Sequence, residues 1–444
     1  MLYDTIAAIS TALSEGAISI VRVSGEDAIS TVNNLTSIDL TKKAGNTISH
    51  TFIIDPDTKQ EIDEVLVSIF KDNKSFTGED IVEINCHGGI FITKQILTLL
   101  LKQGARLARP GEFTQRAFLH GKIDLTQAEA INDMIVADDY QASTLAMRGI
   151  RGSVSRLIHP FLDQLLDIIA NIEVNIDYPE YDDVEQLTNQ KLLPMCEKWI
   201  HDIDEILKKA KSGKILRDGI KTAIVGKPNV GKSSLLNALL EEDKAIVTDI
   251  AGTTRDIVEG TIRLEYVTLH LIDTAGIRDS EDLVEKIGIE KSRKAIKEAD
   301  LVILLLDGSK PLEDKDEELL TLTKDKTRLI VYNKEDLTTK DKEGVWISAS
   351  NGNIEALVAS LNEMYEQHQI AMKEDTLNNE RQIALMGQAR DFMQEAKEAM
   401  INGMELDLVA IDIQNAYSHM KEIIGEVSRD DLLDTLFSNF CLGK

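Results

Sequence analysis

The fold of this chain is decided by the stretch Gly226-Lys-Pro-Asn-Val-Gly-Lys-Ser233. It fits the pattern G-x-x-x-x-G-K-[ST], in which glycines allow backbone N–H groups to close around phosphate oxygens. The apolar run at 222–225 before it predicts a buried strand, and the run at 234–240 after it predicts a helix. The sequence therefore predicts a phosphate-binding loop at a helix N-terminus, in which Lys232 neutralises phosphate oxygens and Ser233 holds Mg²⁺.

Strands and helices continue to alternate downstream of this loop. Apolar runs at residues 269–272, 301–306 and 329–332 predict further buried strands, separated by stretches with helical composition. Strands that alternate with helices form a parallel sheet with helices packed on it. Residues 218–372 are therefore expected to form an α/β domain.

Three short polar motifs in this α/β domain indicate a guanine nucleotide. Asp273-Thr274-Ala275-Gly276 supplies a carboxylate that reaches Mg²⁺ through water and a backbone N–H that senses the γ-phosphate. Asn333-Lys334-Glu335-Asp336 places a carboxylate that accepts from N1–H and the 2-amino group of guanine, donors that adenine does not present. Ser348-Ala349-Ser350 matches the loop that covers the base. Together with the phosphate loop, these motifs predict GTP.

The four motifs resemble those of Ras-like GTPases, with one departure. Ile277 follows Asp-Thr-Ala-Gly, where Ras-like proteins have a Gln that orients the attacking water. An isoleucine cannot orient water, so hydrolysis requires another group or a partner. Asn229 offers a carbonyl oxygen beside the phosphates, and backbone oxygens of residues 248–254 would complete a K⁺ site that replaces an arginine finger. An ordinary turn role for Asn229 is an equal alternative.

Other periodicities flank the α/β domain. Before it, the period-two run at 17–23 and a predicted helix over 90–103 indicate an α+β segment. Apolar residues from 157 to 172 recur at three- and four-residue steps, which predicts a long helix that ends near Pro179, and a second helix is predicted over 192–216.

The predicted organisation is multidomain. Residues 1–120 form an N-terminal α+β domain, 121–217 the first part of an all-α domain, and 218–372 an inserted Ras-like α/β P-loop GTPase domain. Residues 373–444 form the second part of the all-α domain, helical from about 376 to 440 with a break at Asn402-Gly403, and end in the Cys-Leu-Gly-Lys tail.

Composition limits the class of protein. The 444 residues include 49 Lys and Arg against 76 Asp and Glu, a net charge of −27 that would repel a phosphate backbone. Nucleic acid, if bound, requires a local basic patch, bound cations or a basic partner, and the cationic cluster at 208–214 is interpreted as a solvated helix end before a linker. Cys86, Cys196 and Cys441 form neither a disulfide framework nor a zinc motif. With no signal peptide or membrane-length apolar run, a cytoplasmic protein without membrane contact is expected.

Three segments in this order closely resemble the MnmE (TrmE) family of tRNA-modification GTPases. They are the switch segment at 248–256, the segment Phe113-Thr-Gln-Arg-Ala-Phe-Leu-His-Gly-Lys-Ile-Asp-Leu-Thr-Gln-Ala-Glu-Ala130, and the terminal Phe440-Cys-Leu-Gly-Lys444. The resemblance covers the whole chain. It implies a homodimer that works with an FAD-containing MnmG-type partner, in a heterotetramer or larger complex. Together they would install an aminomethyl-type group on C5 of the wobble uridine of certain tRNAs, with a tetrahydrofolate derivative as carbon source.

The resemblance also implies roles for residues of the α/β domain. K⁺ would bind to Asn229, Thr248, Ile250 and Thr253, Mg²⁺ would bind to Ser233 and Thr254, and Glu285 would orient the attacking water through a second water. Glu285, Lys232 and Asn229 are therefore the predicted catalytic residues. The full set of expected GTP contacts is Asn229, Val230, Gly231, Lys232, Ser233, Ser234, Thr248, Asp249, Ile250, Ala251, Gly252, Thr253, Thr254, Asp273, Thr274, Ala275, Gly276, Asn333, Lys334, Asp336, Ser348 and Ala349.

A folate site in the N-terminal domain is implied in the same way. Its residues would be Arg22, Glu83, Lys122 and the tail residue Lys444. The chemistry agrees, because the pterin presents donors suited to a carboxylate, and folate carboxylates suit Arg and Lys. Cys441 is interpreted either as a nucleophile near the folate or as a small buried residue. His120 stands where Asn is common in the family, so a hydrogen bond near Lys122 is expected to differ.

The sequence thus predicts a K⁺-stimulated GTPase in tRNA wobble-uridine modification, in which hydrolysis drives dimerisation of the G domains. Two alternatives are open. A regulatory switch GTPase in ribosome assembly would have no use for folate, and a generic P-loop ATPase would bind ATP and GTP equally, which Asp336 disfavours.

Overall fold

The computed structural model describes residues 4–137, 140–177, 189–241, 260–264, 267–272, 293–339, 342–366, 375–377, 379–427, 433, 436–438, 440 and 443. The chain divides into two compact units. One consists of Met1–Val136, Ala146–Glu197 and Leu385–Lys444, and the other of Ala137–Leu145 and Lys198–Ala384.

The first unit begins with a six-stranded sheet. Its strands are β1 (Ile6–Ile9), β2 (Ile18–Ser24), β3 (Thr47–Ile54), β4 (Glu61–Phe70), β5 (Ile81–His87) and β6 (Arg106–Leu107), in the order β3-β4-β5-β2-β1-β6. Neighbouring strands are antiparallel, except that β1 and β6 are parallel. Helices α1 (Ala28–Asn33) and α2 (Ile90–Lys102) share an apolar core with the sheet. The predicted strand at 17–23 and helix at 90–103 are confirmed.

Among the described residues between 108 and 218, five helices follow this sheet. They are α3 (Glu112–Leu119), α4 (Leu125–Val136), α5 (Tyr140–Ile150), α6 (Ser153–Asp177) and α7 (Asn189–Asp218). The two long helices are confirmed, and α6 ends shortly before Pro179. Residues 208–214 lie in the last turns of α7, in agreement with the expected helix end, but the linker expected after them is wrong. Only Gly219, with φ +67°, separates α7 from the next strand, and glycine adopts that left-handed conformation without strain.

The second sheet belongs to the α/β domain. Its elements are β7 (Ile220–Val225), α8 (Lys232–Glu241), β8 (Gly260–Arg263), β9 (Thr268–Leu271), β10 (Leu301–Asp307), α9 (Asp314–Leu322), β11 (Thr327–Asn333), β12 (Val345–Trp346) and α10 (Glu355–Glu366). The strand order is β12-β11-β10-β7-β9-β8. The predicted parallel strands are confirmed, and β10 is buried over Leu301–Leu306, as its apolar sequence requires. The antiparallel edge pair β8–β9 is an addition that sequence reasoning missed.

Two helices follow in the described C-terminal part of the chain. They are α11 (Glu380–Ile401) and α12 (Leu406–Ile424), separated at the predicted Asn402-Gly403 break. The apolar face of α12, including Val409, Ile413 and Met420, is buried, and α12 packs against α6. Residues 220–366 lie between these two packed helices in the chain. Among the described helices, none combines the length and the apolar composition that crossing a membrane requires.

Candidate functional site

The loop Gly226–Ser233 connects β7 to α8 and packs closely against the sheet. A Cβ on Gly226 would lie 2.4 Å from the Leu305 carbonyl oxygen of β10, so only glycine allows this approach. Asn229 and Gly231 have φ values of +62° and +100°, the left-handed conformations that turn the chain into α8. The Asn229 side chain is exposed at the tip of the loop. The predicted strand–loop–helix arrangement is therefore confirmed.

The Lys232 ammonium lies over the backbone of the loop. Its Nζ donates to the carbonyl oxygens of Gly226 at 2.7 Å and Lys227 at 2.8 Å. An ammonium has three donors, so this arrangement leaves one N–H for a phosphate oxygen. Burial lowers the pKa of Lys232, because its two acceptors are uncharged and desolvation disfavours the cation.

Asn333 joins the phosphate loop to the expected base-binding loops. Its Nδ2 donates to the Val230 carbonyl oxygen at 2.8 Å, and its Oδ1 accepts from the Ala349 N–H at 3.0 Å. A Cβ on Gly231 would lie 2.2 Å from Asn333 Nδ2, so this contact requires glycine in the loop. The structure therefore brings three of the predicted motifs together at the carboxyl ends of β7 and β11.

The remaining base-binding residues are also held in place. The Ser348 hydroxyl donates to Asp336 Oδ1 at 2.6 Å, while the Asp336 residue stays exposed. Lys334, with φ +68°, places its Nζ 2.7 Å from Asp307 Oδ2 at the end of β10. Burial would raise the pKa of Asp307, but hydrogen bonds from Lys334 and Ser309 outweigh it and hold that pKa below its usual value. Asp307 is thus a further residue of the site. Its only signal in the sequence is its position, directly after the apolar run at 301–306.

Several predicted residues lie outside the described part of the chain. They are Thr248, Asp249, Ile250, Ala251, Gly252, Thr253, Thr254, Asp273, Thr274, Ala275, Gly276, Glu285 and Lys444. Ile277 and Cys441 lie outside it too. Ser233 and Ser234 are within it, at the beginning of α8.

In the N-terminal sheet, Arg22 of β2 and Glu83 of β5 face each other in register. Arg22 Nε and Nη2 donate to Glu83 Oε1 at 2.9 and 2.7 Å, and the two side chains remain 19% and 20% exposed. The guanidinium lies 5.6 Å from the centre of the Phe113 ring. Two of the predicted folate residues are thereby adjacent at an accessible surface, whereas Lys122 donates to the Asn73 carbonyl oxygen.

The described residue of the C-terminal tail reaches the same place. The Gly443 carbonyl oxygen accepts from Ser10 Oγ at 2.9 Å and lies 3.5 Å from Arg22 Nη1. Gly443 has φ +88°, and a Cβ there would lie 2.4 Å from the Ile9 carbonyl oxygen. The His120 Nδ1 lies 2.7 Å from the Thr77 carbonyl oxygen, and the expected difference from the family's Asn at this position stays a prediction.

The two cysteines that the structure describes are buried thiols. Burial raises the pKa of Cys86, and it raises the pKa of Cys196 to about 12. Both thiols are therefore protonated and unreactive near neutral pH.

A cluster of charged residues around the buried Arg116 was not predicted from the sequence. Arg116 is 2% exposed and contacts Asp4 Oδ1 at 2.7 Å, Glu79 at 3.1 Å and Glu112 Oε1 at 3.5 Å, while Arg106 contacts Asp4 and Glu112. We call these five residues the Arg116 cluster. Burial would raise the pKa of Glu112, but hydrogen bonds from Arg106 and the Arg109 N–H outweigh it and lower that pKa. Arg116 lies in the segment 113–130, yet nothing local marks it as buried.

The fold and the loop together define a class. The chain contains a P-loop nucleotide-binding domain of the Ras-like type, beside an α+β domain and a helical domain.

Comparison with known proteins then gives the family. Residues 5–122 match the family described as GTP-binding protein TrmE N-terminus, and residues 125–441 match the MnmE helical domain. The tRNA modification GTPase MnmE of Enterococcus faecalis is 48% identical over 460 residues, which covers 100% of this chain and 99% of that protein. The protein of the same name from Lactobacillus delbrueckii subsp. bulgaricus is 50% identical over 455 residues, with 100% and 98% covered. This chain belongs to the MnmE family of tRNA modification GTPases.

Among solved structures, the G domain of the FeoB iron transporter of T. maritima is similar at 25% identity and a TM-score of 0.25, over 34% of this chain and 98% of that one.

Proposed function

We propose that this chain is a GTP hydrolase that modifies C5 of the wobble uridine of certain tRNAs together with a flavoprotein. The observation that carries the proposal is the Asn333 bridge between the phosphate loop and Ala349, with Asp336 held beside it by Ser348. This arrangement combines phosphate-binding and guanine-selective groups. The relatives that this chain matches over 99% and 98% of their length are named tRNA modification GTPases.

The nucleotide site fits GTP and Mg²⁺ chemically. Glycine at 226 lets the loop pack closely against β10, loops of this pattern bind phosphate oxygens through backbone amides, and Lys232 supplies the positive charge. The Ser233 hydroxyl and Thr254 would hold Mg²⁺, which neutralises phosphate charge when bound. Asp336 would select guanine, because its carboxylate accepts from two donors that adenine lacks.

Hydrolysis requires a substitute for the Gln that Ile277 replaces. We propose that Asn229, Thr248, Ile250 and Thr253 hold K⁺ and that Glu285 orients the attacking water. The support from this chain is the exposed Asn229 side chain at the tip of a phosphate loop that turns left-handed at that residue. A cation beside the phosphates would stabilise the charge that develops during phosphoryl transfer.

The decisive experiment measures GTP turnover of the full chain in KCl and in NaCl at matched ionic strength, with ATP as a control. We expect turnover of GTP alone, faster in KCl, and loss of the K⁺ effect in Asn229→Ala but not in the matched control Asn237→Ala on α8. Equal turnover of ATP and GTP would indicate a generic ATPase. Equal slow rates in both salts would remove the K⁺ site and leave a GTPase that needs an outside activator.

We propose a tetrahydrofolate site at Arg22, Glu83, Lys122 and Lys444. The surface fits the ligand, since the Glu83 carboxylate suits pterin donors and the Arg22 guanidinium suits carboxylates. Calorimetric titration with tetrahydrofolate tests it, with Arg22→Met expected to lose binding and Lys42→Met, which breaks an exposed ion pair, expected to keep it. Absence of folate binding in the unmodified chain would favour the ribosome-assembly alternative.

We further propose a cytoplasmic homodimer, with its N-terminal domains paired and with domain boundaries near residues 120, 217 and 372. An FAD-containing MnmG-type partner would join it in a heterotetramer or larger complex, and GTP hydrolysis would drive G-domain dimerisation. The net charge of −27 supports a division of labour in which the partner supplies much of the cationic surface for tRNA. Sedimentation of the chain with and without such a partner, followed by assay of tRNA modification by the mixture, tests this assignment.

A further inference from the structure

One cation of the phosphate loop is not explained by the nucleotide-binding pattern. Lys227 occupies a position that G-x-x-x-x-G-K-[ST] leaves open to any residue. Its Nζ lies 2.9 Å from Glu313 Oε2 and 2.7 Å from Asp316 Oδ2, and the Lys227 side chain is only 14% exposed. The side chain therefore leaves the loop and contacts the N-terminal end of α9.

The Asp316 acceptor on α9 is itself buried and hydrogen-bonded. Asp316 Oδ2 also accepts from the Glu313 N–H at 3.0 Å, and the Asp316 side chain is 5% exposed. A carboxylate buried to this degree requires a paired cation, because removal of one partner leaves an uncompensated charge. Residues Leu319, Leu320 and Leu322 of α9 pack against the apolar core under β10. Lys227 is thus attached to an element that does not belong to the loop.

The backbone of the same residue orients the lysine that faces the phosphates. The Lys227 carbonyl oxygen is one of the two acceptors of Lys232 Nζ, and the Gly226 carbonyl oxygen is the other. Gly226 is fixed by its close approach to Leu305 of β10. The ion pair with Glu313 and Asp316 fixes the next residue, so both acceptors of Lys232 are anchored to the sheet or to α9.

We propose that Lys227 is a positioning residue for phosphate binding, which acts by anchoring the loop to Glu313 and Asp316. This inference rests on the proposed nucleotide site and assigns it a support outside the motif. A loop without this anchor must be ordered when nucleotide binds, and that ordering opposes affinity. We expect a roughly tenfold loss of nucleotide affinity, which corresponds to the entropic cost of ordering one or two side chains on binding.

The test is titration of the full chain with a fluorescent GDP analogue, together with steady-state GTP turnover. Lys227→Met and Asp316→Asn should each weaken binding about tenfold and raise KM while kcat changes less than about twofold. Lys227→Arg should restore most of the affinity, since it keeps the charge and reach. The double variant should bind no more weakly than the weaker single variant, because both substitutions remove the same contact. Glu313→Gln, at the more exposed partner, provides a milder variant that keeps Asp316 paired.

The matched control is Glu318→Gln. Glu318 lies on α9, as Asp316 does, and its substitution breaks an exposed contact with Arg293 while the loop stays untouched. It should keep the affinity of the unmodified chain. Unchanged affinity in Lys227→Met, additive losses in the double variant, or an equal loss in Glu318→Gln would each overturn the inference. Failure of the unmodified chain to prefer GDP over ADP would instead reject the proposed nucleotide site, so the two failures are distinguishable.

Discussion

Lys232 in the phosphate loop and Arg116 in the N-terminal unit are both held by oxygen atoms, but the oxygens carry different charges. Lys232 donates to two neutral main-chain carbonyl groups, whereas Arg116 contacts the carboxylates of Asp4, Glu79 and Glu112. Within the part of the chain that the structure describes, no carboxylate pairs with Lys232, so its charge is available to an anion. The charge of Arg116 is balanced within the fold. The comparison indicates that the acceptors of a cation distinguish a ligand-binding role from a structural one.

The largest effect is expected at the balanced cation. Arg116→Met leaves three carboxylates around an apolar side chain, which should destabilise this region by about 3–5 kcal/mol. Amide hydrogen exchange in β1 and β6 reports the local free energy of opening. Lys42→Met removes an exposed ion pair with Asp39 and should leave the opening free energy almost unchanged, because solvent screens such a pair. If Arg116→Met and Lys42→Met give the same free energy of opening for β1 and β6, charge balance in the Arg116 cluster does not stabilise this region.

The phosphate-loop cation should behave in the opposite way. Lys232→Met removes a charge from the predicted phosphate site and should lower kcat for GTP by roughly 10²–10³-fold. The thermal midpoint should change little, because its acceptors are neutral carbonyl groups and the substitution leaves no buried charge without a partner. Lys221→Met, an exposed position on β7, is the matched control and should hydrolyse GTP normally. If Lys232→Met lowers the thermal midpoint but leaves the specific GTPase activity unchanged, Lys232 is a structural cation and not a ligand-binding one.

The two regions should also respond to pH in opposite directions. The pKa of Glu112 in the fold lies below its ordinary 4.5, so its stabilisation is present above about pH 4.5 and is lost as the pH falls through the lower folded value. Glu112→Gln should flatten that acid dependence in urea unfolding.

The pKa of Lys232 is lowered by burial, so nucleotide affinity should fall on the alkaline side, at a lower pH than that at which an ordinary lysine loses its proton. Parallel pH profiles for the two properties would contradict this assignment.

A small effect on stability is expected at Arg22, which lies between the two cations compared above. Its ion pair with Glu83 is about one-fifth exposed on each side, so Arg22→Met should cost about 1 kcal/mol or less. Urea unfolding compared with Lys42→Met measures this cost. If Arg22→Met lowers the free energy of unfolding as much as Arg116→Met does, Arg22 has a structural role. The proposed folate site would then lack an Arg22 charge that is available to the ligand.

Much of the α/β domain could be predicted because its signals are local. The apolar run at 301–306 must become a buried strand, and the loop at 226–233 carries its own glycines at the positions where the backbone needs them. The break at Asn402-Gly403 was equally readable. The linker expected after residues 208–214 was wrong, since a single glycine with a positive φ replaces it and composition does not report backbone angles.

By itself, the sequence determined the phosphate loop, the parallel strands around it and the family. Those features depend on residues within a few positions of one another or on motif order along the chain. Only the tertiary structure decided which cations are neutralised. Asp4 contacts Arg116 across 112 residues, Lys227 contacts an acidic helix end far along the chain, and Gly443 reaches the sheet beside Arg22. Charge balance depends on distances between remote segments, and folding brings those segments together.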